Sequence, residues 1–517
     1  MEELSIGLFD PGMTHLHRVG LAGLFMTLSA LEKRSDVDWA LASRSVRMSW
    51  DCPTEELFTW LLSNAFGFRK DGLVDFAAHR SLRLSDLNRV HLHKALLDSF
   101  LQHNKQNKIP KGATRRLVLD LDGKPVFLEY RPMLTSYAHA DAAKILVNSR
   151  GRLRAGITVK GWLFLGAAQR HTAWQATEVK EPPSRALCLL FAPAAALYYR
   201  LYHRGLVGRR DRRLDVAVVL PHLTDLSSYA RSYERYLRSP VDRLHADGLS
   251  DAALNALLTL KAGSALGELG VTGCTVITMG TAPWSSQQRT RTGVLDLEDV
   301  SAERVDSFEY AIRSLPNRVV IKQDRPTAAR PFPESHFFVA ASSVRGLVAE
   351  NIVHGRDWFA GFTSLMRSKE QAKAVFYERG GLRKMVEEYR EQGKIERHFI
   401  EAVHDAVRNR YGALAARAKQ LGENIRFDRE FERMRTGLLR AKNRATLRAE
   451  IADLLARGGL NQSLRKNWPD ILPLVTGPDW QRARDLALLA LASYTGRGAQ
   501  EIEATRVEDS EVEEETA

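Results

Sequence analysis

Cations interleaved with amides are the side chains whose spacing in this sequence could do chemistry. Lys105, Lys108, Lys111, Arg115 and Arg116 crowd one short segment, with Asn104, Gln106 and Asn107 among them. Ammonium and guanidinium groups hold phosphates, and carboxamides can read base edges. Arg209, Arg210, Arg212 and Arg213 form a second cluster, in a glycine-containing loop ahead of a strand. Gln287, Gln288, Arg289 and Arg291 form a third, in a polar loop after Trp284. A fourth places Arg433, Arg435, Arg440, Lys442, Arg444 and Arg448 on one expected helix. Helical geometry nearly aligns Arg433, Arg440 and Arg444 and turns Arg435 and Lys442 to the other side. A solvated face explains any single cluster as well as a nucleic acid does. Four clusters on one basic chain favour contact for some of them.

Signals for other chemistry are weak. Gly263, Gly267 and Gly270 lack the lysine of a phosphate-binding loop and the spacing of a dinucleotide fingerprint, so they read as turn glycines. No nucleophile-elbow sequence occurs. His404-Asp405 resembles the dyad of a metal-dependent phosphohydrolase but has no convincing companions, and a surface pair on a helix explains it. His15/His17 and His91/His93 are two residues apart, a spacing that splays side chains on a helix rather than converging them on a metal. Asp120 and Asp122 flank a turn. Cys52, Cys188 and Cys274 are too scattered for a zinc site or a disulfide framework, which fits a reducing cytoplasm. The expectation is therefore no catalytic residue, no metal and no cofactor.

The bulk charge agrees with a polyanionic partner. The 517 residues carry a formal charge of +13 with 44% hydrophobic content, enough for a real core and two to four domains. Residues 351–500 hold 28 Lys+Arg against 18 Asp+Glu, whereas residues 501–517 hold one Arg against eight acids. The acidic tail is expected to be disordered and to mask part of the body's charge. The first residues lack the basic stretch of a signal peptide. The apolar run Ala186–Tyr199 is too short for a membrane span and contains Pro193, so no membrane is expected.

The elements that must position these residues fall into two kinds. Leu4–Phe9 reads as a strand, Asp10-Pro11-Gly12 as a turn, and His15–Leu31 as a helix after Thr14. Ala40–Met48 reads as a strand, Glu55–Phe66 and Asn88–Asn104 as helices. Leu117–Leu121 and Pro125–Tyr130 form a hairpin about Asp122-Gly123. Further strands are expected at Ile157–Leu165, Leu214–Leu220, Val271–Met279, Val319–Lys322 and Phe337–Ala341, with a buried helix at Ser184–Tyr202. Beyond about residue 345 helical periodicity takes over: Trp358–Arg367, Glu370–Gln392, Lys394–Leu421, Asp428–Arg457 and Trp480–Tyr494. The fold class is α+β: a mixed α/β body over 1–350, an all-α basic bundle over 351–500 and the tail.

Three blocks carry a family resemblance. Asp10-Pro-Gly-Met-Thr14, Leu16-His17-Arg18, Gly20-Leu-Ala-Gly-Leu24 and Met26-Thr27-Leu28 resemble the opening of the Cas eight large-subunit family, MYXAN subtype, related to type I-B. Gly355-Arg-Asp-Trp-Phe359 with Gly361-Phe362, and Leu486–Gly496, are similar to later blocks of that family. The resemblance implies the large subunit of a type I CRISPR Cascade, an RNA-guided surveillance complex. Its partners would be the guide RNA with repeated backbone and guide-end-binding Cas subunits, double-stranded target DNA, and the displaced single strand. A helicase–nuclease, or transposition proteins, would act downstream. The subunit would inspect the protospacer-adjacent motif, help open the duplex and steady the R-loop, a near-balanced exchange that modest contacts can tip. The resemblance also implies that an internal start is conceivable at Met385, behind Gly380-Gly381, giving roughly 130 residues of bundle. Two rivals stay open: a nuclease or RNA-processing enzyme with a dispersed site, and a basic protein–protein scaffold.

Overall fold

The computed structural model describes residues 2–82, 84–102, 104–121, 123–159, 163, 179–201, 216–261, 270–282, 285–323, 335–388, 393–422, 427–457 and 459–496; at 104–105, 280–292 and 388 it describes the backbone only. The chain divides into two compact units, Met1–Val305 with Asn317–Ala341, and Asp306–Pro316 with Ser342–Ala517. The first is a mixed α/β body and the second is helical, as the sequence leads one to expect.

In the first unit, β1 (Glu2–Gly7), β2 (Val37–Ala42) and β3 (Ser45–Trp50) form an antiparallel sheet in the order β1-β3-β2. The single strand expected at Ala40–Met48 is in fact this β2–β3 hairpin, turned at Ser43-Arg44. Both arms alternate, but the buried positions are Val37 and Trp39 in β2 and Val46, Met48 and Trp50 in β3, so the period-2 phase slips by one residue at the turn. Helix α1 (His15–Ala30) follows β1; α2 (Thr54–Ala65) and α3 (Asp86–Asp98) flank the short hairpin of β4 (Phe66–Phe68) and β5 (Val74–Phe76). Asn88–Asn104 does not run as one helix: α3 ends at Asp98, and a separate turn of helix occupies Asn104–Asn107. β6 (Arg115–Leu121) and β7 (Lys124–Tyr130) form the expected hairpin, with Gly123 at φ +76°.

The core of this unit is a five-stranded sheet. Its strands are β8 (Leu197–Leu201), β9 (Val216–Leu223), β10 (His245–Ala246), β11 (Val271–Ala282) and β12 (Ser285–Leu297), in the order β10-β8-β9-β11-β12. Only the β8–β10 pair is parallel. Helices α4 (Pro183–Phe191), α5 (Leu226–Leu237) and α6 (Leu249–Lys261) complete it. α1 and α6 both pack against β9, whose eight residues are all buried, as a strand covered on both faces must be.

Ser184–Tyr202 is not one helix. α4 stops at Phe191, a 3-10 turn holds Pro193, and the chain becomes strand β8. The carbonyls of Ala195, Ala196 and Tyr198 accept from the hydroxyls of Tyr229, Tyr233 and Tyr236 on α5, at 2.5, 3.1 and 2.9 Å, in place of helical amides. Of the strand expected at Ile157–Leu165, Ile157–Thr158 pairs with Lys180–Glu181, and most of the remainder lies outside the described residues. The hairpin of β13 (Arg318–Gln323) and β14 (Ser335–Ala340) agrees with the sequence.

Helix α1 explains the glycines of the opening block. Gly20 and Gly23 face α4 so closely that a Cβ at either would overlap the carbonyl of Cys188 or Phe191. With Leu16, Val19, Leu21, Leu24 and Leu28 all at most 5% exposed, this block is a packing motif.

The second unit contains most of α7 (Ala302–Ser314), then α8 (Ser343–Val353), a 3-10 turn at Phe362–Met366, α9 (Lys369–Tyr377) and α10 (Arg379–Glu388). α11 (Lys394–Leu421), α12 (Phe427–Arg440), α13 (Arg444–Arg457), α14 (Gln462–Thr476) and α15 (Trp480–Ala492) form the bundle proper. The 28-residue α11 contacts α13, α14 and α15. Three expected helices are broken or replaced. Trp358–Arg367 is turns plus the 3-10 segment, Glu370–Gln392 splits at Glu378, and Asp428–Arg457 splits at Ala441–Asn443, where the Asn443 and Thr446 side chains take the backbone donors of a new helix start. α14 had no apolar signal strong enough to offset Pro469 and Pro473; it accommodates them beside a non-helical Asn467.

The two later blocks of the resemblance come together through Asp485, the residue just before the second. Asp485 on α15, 8% exposed, accepts from Gly361 N–H and Thr363 N–H at 2.8 Å each and from the Thr363 hydroxyl at 2.5 Å. Asn351 ties the Trp358 and Ala360 carbonyls from the other side. These residues shape a turn and bind it to α15. Met385 is fully buried in α10.

Candidate nucleic-acid interface

The segment between α3 and β6 is more engaged than its charge suggests. Asn107 is buried: its amide donates to the Leu101 carbonyl at 2.9 Å and its carbonyl oxygen accepts from Ile109 N–H at 3.0 Å. Lys108 pairs with Asp141, Arg116 with Glu129 at 2.9 Å, and Arg115 donates to the Lys70 carbonyl at 2.7 Å. Lys111 is exposed on the turn that leads into β6. Lys105 lies on the helical turn, its side chain outside the described residues.

Arg209, Arg210, Arg212 and Arg213 lie outside the described residues. Gln287, Gln288, Arg289 and Arg291 do not occupy a loop. They belong to β12, with Arg289 opposite Thr281 and Arg291 opposite Met279 on β11. The run Ser-Ser-Gln-Gln-Arg-Thr-Arg-Thr has no apolar alternation to announce a strand; pairing with β11 supplies the hydrogen bonds instead.

In the bundle, α12 and α13 border a cleft of about 500 Å³. Arg429, Arg433, Arg440 and Arg457 line it, with Glu432, Glu450 and Asp453. Arg457 pairs with Asp453 at 2.6 Å, which holds its guanidinium more firmly protonated still. Among the described residues Arg429, Arg433 and Arg440 make no ion pair. Arg444 is not on their helix: it opens α13 and donates to the Thr476 carbonyl. Arg435 is 7% exposed and structural, forked onto Glu432 at 2.6 and 3.0 Å and reaching the Met366 carbonyl. The opposite orientations expected of Arg433 and Arg435 thus correspond to a cleft side and a core side.

The titratable pairs are consumed by the fold. His404 is buried, not on the surface: Arg383 donates to its Nδ1 at 2.6 Å, and its Nε2–H donates to the Ala490 carbonyl at 2.9 Å. Burial pushes its pKa down to about 3. Asp405 instead accepts from Ser463 and Arg408. His91 donates to the Tyr198 carbonyl at 2.9 Å, and His93 accepts from Val74 N–H and donates to the Arg131 carbonyl. Burial lowers these two to about 3 and about 4. His17 turns Nδ1 back to Thr14 N–H at 3.2 Å, while His15 stacks on His222. Among the described residues no three His, Cys, Asp or Glu side chains are grouped to hold a metal, and no helix is long and apolar enough to cross a membrane.

One constellation escapes a sequence reading. Phe9, Arg18 and Arg44 converge at one end of α1. Arg44 reaches Phe9 only because β2 and β3 are a hairpin, so no spacing in the sequence links them. An aromatic beside the Asp10-Pro11 turn was the one available signal.

Known proteins match both units. A family model described as the DevT N-terminal domain matches residues 5–190, and one described as the DevT C-terminal domain matches residues 387–517. The CRISPR-associated protein Cas8a1/Csx13 of Myxococcus xanthus (strain DK1622) is 30% identical over 542 aligned positions, covering 98% of this chain and 91% of the relative. A two-part, basic, large-subunit architecture and a match of that extent define the class: the chain belongs to the CRISPR-associated Cas8 family.

Proposed function

We propose that this chain is the large subunit of a type I CRISPR RNA-guided complex, that it recognises the protospacer-adjacent motif, and that it steadies the opened duplex. The observation that carries this reading is the match to the Myxococcus xanthus relative across both units. The cleft between α12 and α13 supports it: four arginines against three carboxylates, three of the arginines without an ion pair among the described residues, suit a phosphate backbone followed without sequence preference. The role is non-catalytic, cytoplasmic and free of cofactors in this reading. What supports that is the use of His91, His93 and His404 to hold backbone carbonyls rather than to face a substrate. Partners are the guide RNA, the other Cas subunits and target DNA, with a helicase–nuclease or transposition proteins downstream.

Co-expression with neighbouring genes and a guide RNA tests the proposal. Co-elution with RNA and repeated subunits is expected, with tight binding only of duplex that carries both the guide-matched sequence and its flanking motif. Cleavage of nucleic acid by the isolated chain would favour an enzyme, and salt-independent binding a scaffold.

A further inference from the structure

Phe9 stands on the turn between β1 and α1 with 52% of its surface exposed. The turn is built, not loose. The Asp10 carboxylate accepts Gly7 N–H at 2.7 Å, and Met13 N–H donates to the Asp10 carbonyl at 3.1 Å. Gly12 at φ +82° closes it, and Arg185 donates to the Pro11 carbonyl at 3.0 Å.

Two guanidiniums lie over the Phe9 ring. Arg18, from the first turn of α1, has Cζ 5.0 Å from the ring centroid, and Arg44, from the β2–β3 turn, 5.9 Å. Leu8 N–H donates to the Arg44 carbonyl at 2.8 Å, which ties the two turns by a backbone hydrogen bond. Among the described residues neither guanidinium makes an ion pair, and Arg18 Nε is buried without a hydrogen-bond partner. The contrast with Arg34 is direct: it too lies over an aromatic ring, Trp60, but pairs with Asp36 and Glu56. His15 and His222, stacked at 3.6 Å, add no competing cation; burial lowers both, His15 to about 4. Asp296, 3.2 Å from His222, also accepts from Thr275 at 2.8 Å.

Two like charges drawn to one exposed ring, with no anion between them, repel each other and have a donor to spare. An unpaired nucleotide supplies both missing parts: a π-face for the ring and a phosphate for the cations. We propose that Phe9, Arg18 and Arg44 form a binding site for one unpaired nucleotide of a single-stranded nucleic acid. The base stacks on the ring face that Arg44, the more distant cation, gives up, and the phosphate sits between Arg44 and Arg18. This rests on the reading of the chain as a nucleic-acid-handling subunit and adds a contact residue set to it.

The test is fluorescence anisotropy on the full chain with strands of about twelve nucleotides: DNA, RNA of the same sequence, and an abasic DNA. F9A is expected to weaken the base-bearing strands about 5- to 100-fold and leave the abasic strand unchanged. F9W is expected to retain wild-type affinity. R44Q is expected to weaken all three strands and lower the salt slope by about 0.7. Preference for RNA identifies the guide as the source of the nucleotide, and preference for DNA the displaced strand; either supports the site. Equal loss on abasic and base-bearing strands, or none with F9A, overturns it while the parent reading stands. A wild-type chain that binds no strand overturns the site, and the parent reading then stands or falls with the guide-loaded complex. Melting of F9A and F9W at the wild-type temperature separates loss of contact from loss of fold.

Discussion

The basic segment that leads into β6 and the arginine cleft of the bundle have comparable cation counts but differ in how many of those cations are engaged. In the first unit Lys108 faces Asp141, Arg116 faces Glu129 and Arg115 donates to a backbone carbonyl. In the second, Arg429, Arg433 and Arg440 line a cleft and make no ion pair among the described residues. Formal charge sums cations and anions wherever they lie, whereas binding depends on the cations without a nearby anion. Buried polar side chains serve the backbone in both units: His79, His91 and His93 hold carbonyls in the first, and in the second His404 holds the Ala490 carbonyl and Asp485 the Gly361 and Thr363 amides.

Acid should separate the two units most strongly. Burial lowers His79 and His93 to about 4 and His91 and His139 to about 3 in the first unit. Among the described residues the second has one comparable group, His404 at about 3. A histidine depressed in the fold binds its proton more readily when unfolded. Its contribution is therefore complete above about pH 6.5 and is lost as pH falls towards 4 and then 3. Hydrogen exchange at pH 7 and pH 5 should show earlier loss of protection in β8, β9 and α3 than in α11 and α15; the reverse order would break the comparison.

Gly20→Ala comes next. A methyl group there overlaps the Cys188 carbonyl, so a loss of about 3 kcal/mol or more is expected in chemical denaturation. Asp485→Ala should cost about 2–3 kcal/mol, because the Gly361 and Thr363 amides lose their acceptor. Its effect should be confined to the second unit, as read by limited proteolysis. Smallest is the electrostatic pair. R433Q with R440Q should lower the salt slope for single-strand binding by about 0.7 per arginine that touches a phosphate, whereas K108Q should change it by less than about half of that. Equal slopes for the two variants would erase the distinction between free and paired cations.

Much of this was legible in the residues. α1, α11 and the β6–β7 hairpin follow from periodicity and from Asp122-Gly123, because each makes local contacts that pattern alone specifies. β12 was not legible, since its polar run gains stability from β11 rather than from an apolar face. The end of α4 was hidden too: the hydroxyls that replace its amides sit on α5, more than thirty residues on. At the candidate site, Arg433 and Arg440 were visible from their spacing on α12. Arg444 was misjudged because nothing in Ala441–Asn443 except the Asn443 cap announces a new helix. Lys108 and Arg116 looked free because their acids lie elsewhere in the fold, at Asp141 and across the hairpin at Glu129.

The most direct test of the central claim is the affinity of the assembled, guide-loaded complex for matched duplex, measured with wild type and with R433Q/R440Q across a range of salt. Weaker binding and a shallower salt dependence in the variant, at unchanged complex assembly, is the predicted result. Identical affinity and slope would contradict the assignment of the bundle's arginines to nucleic acid.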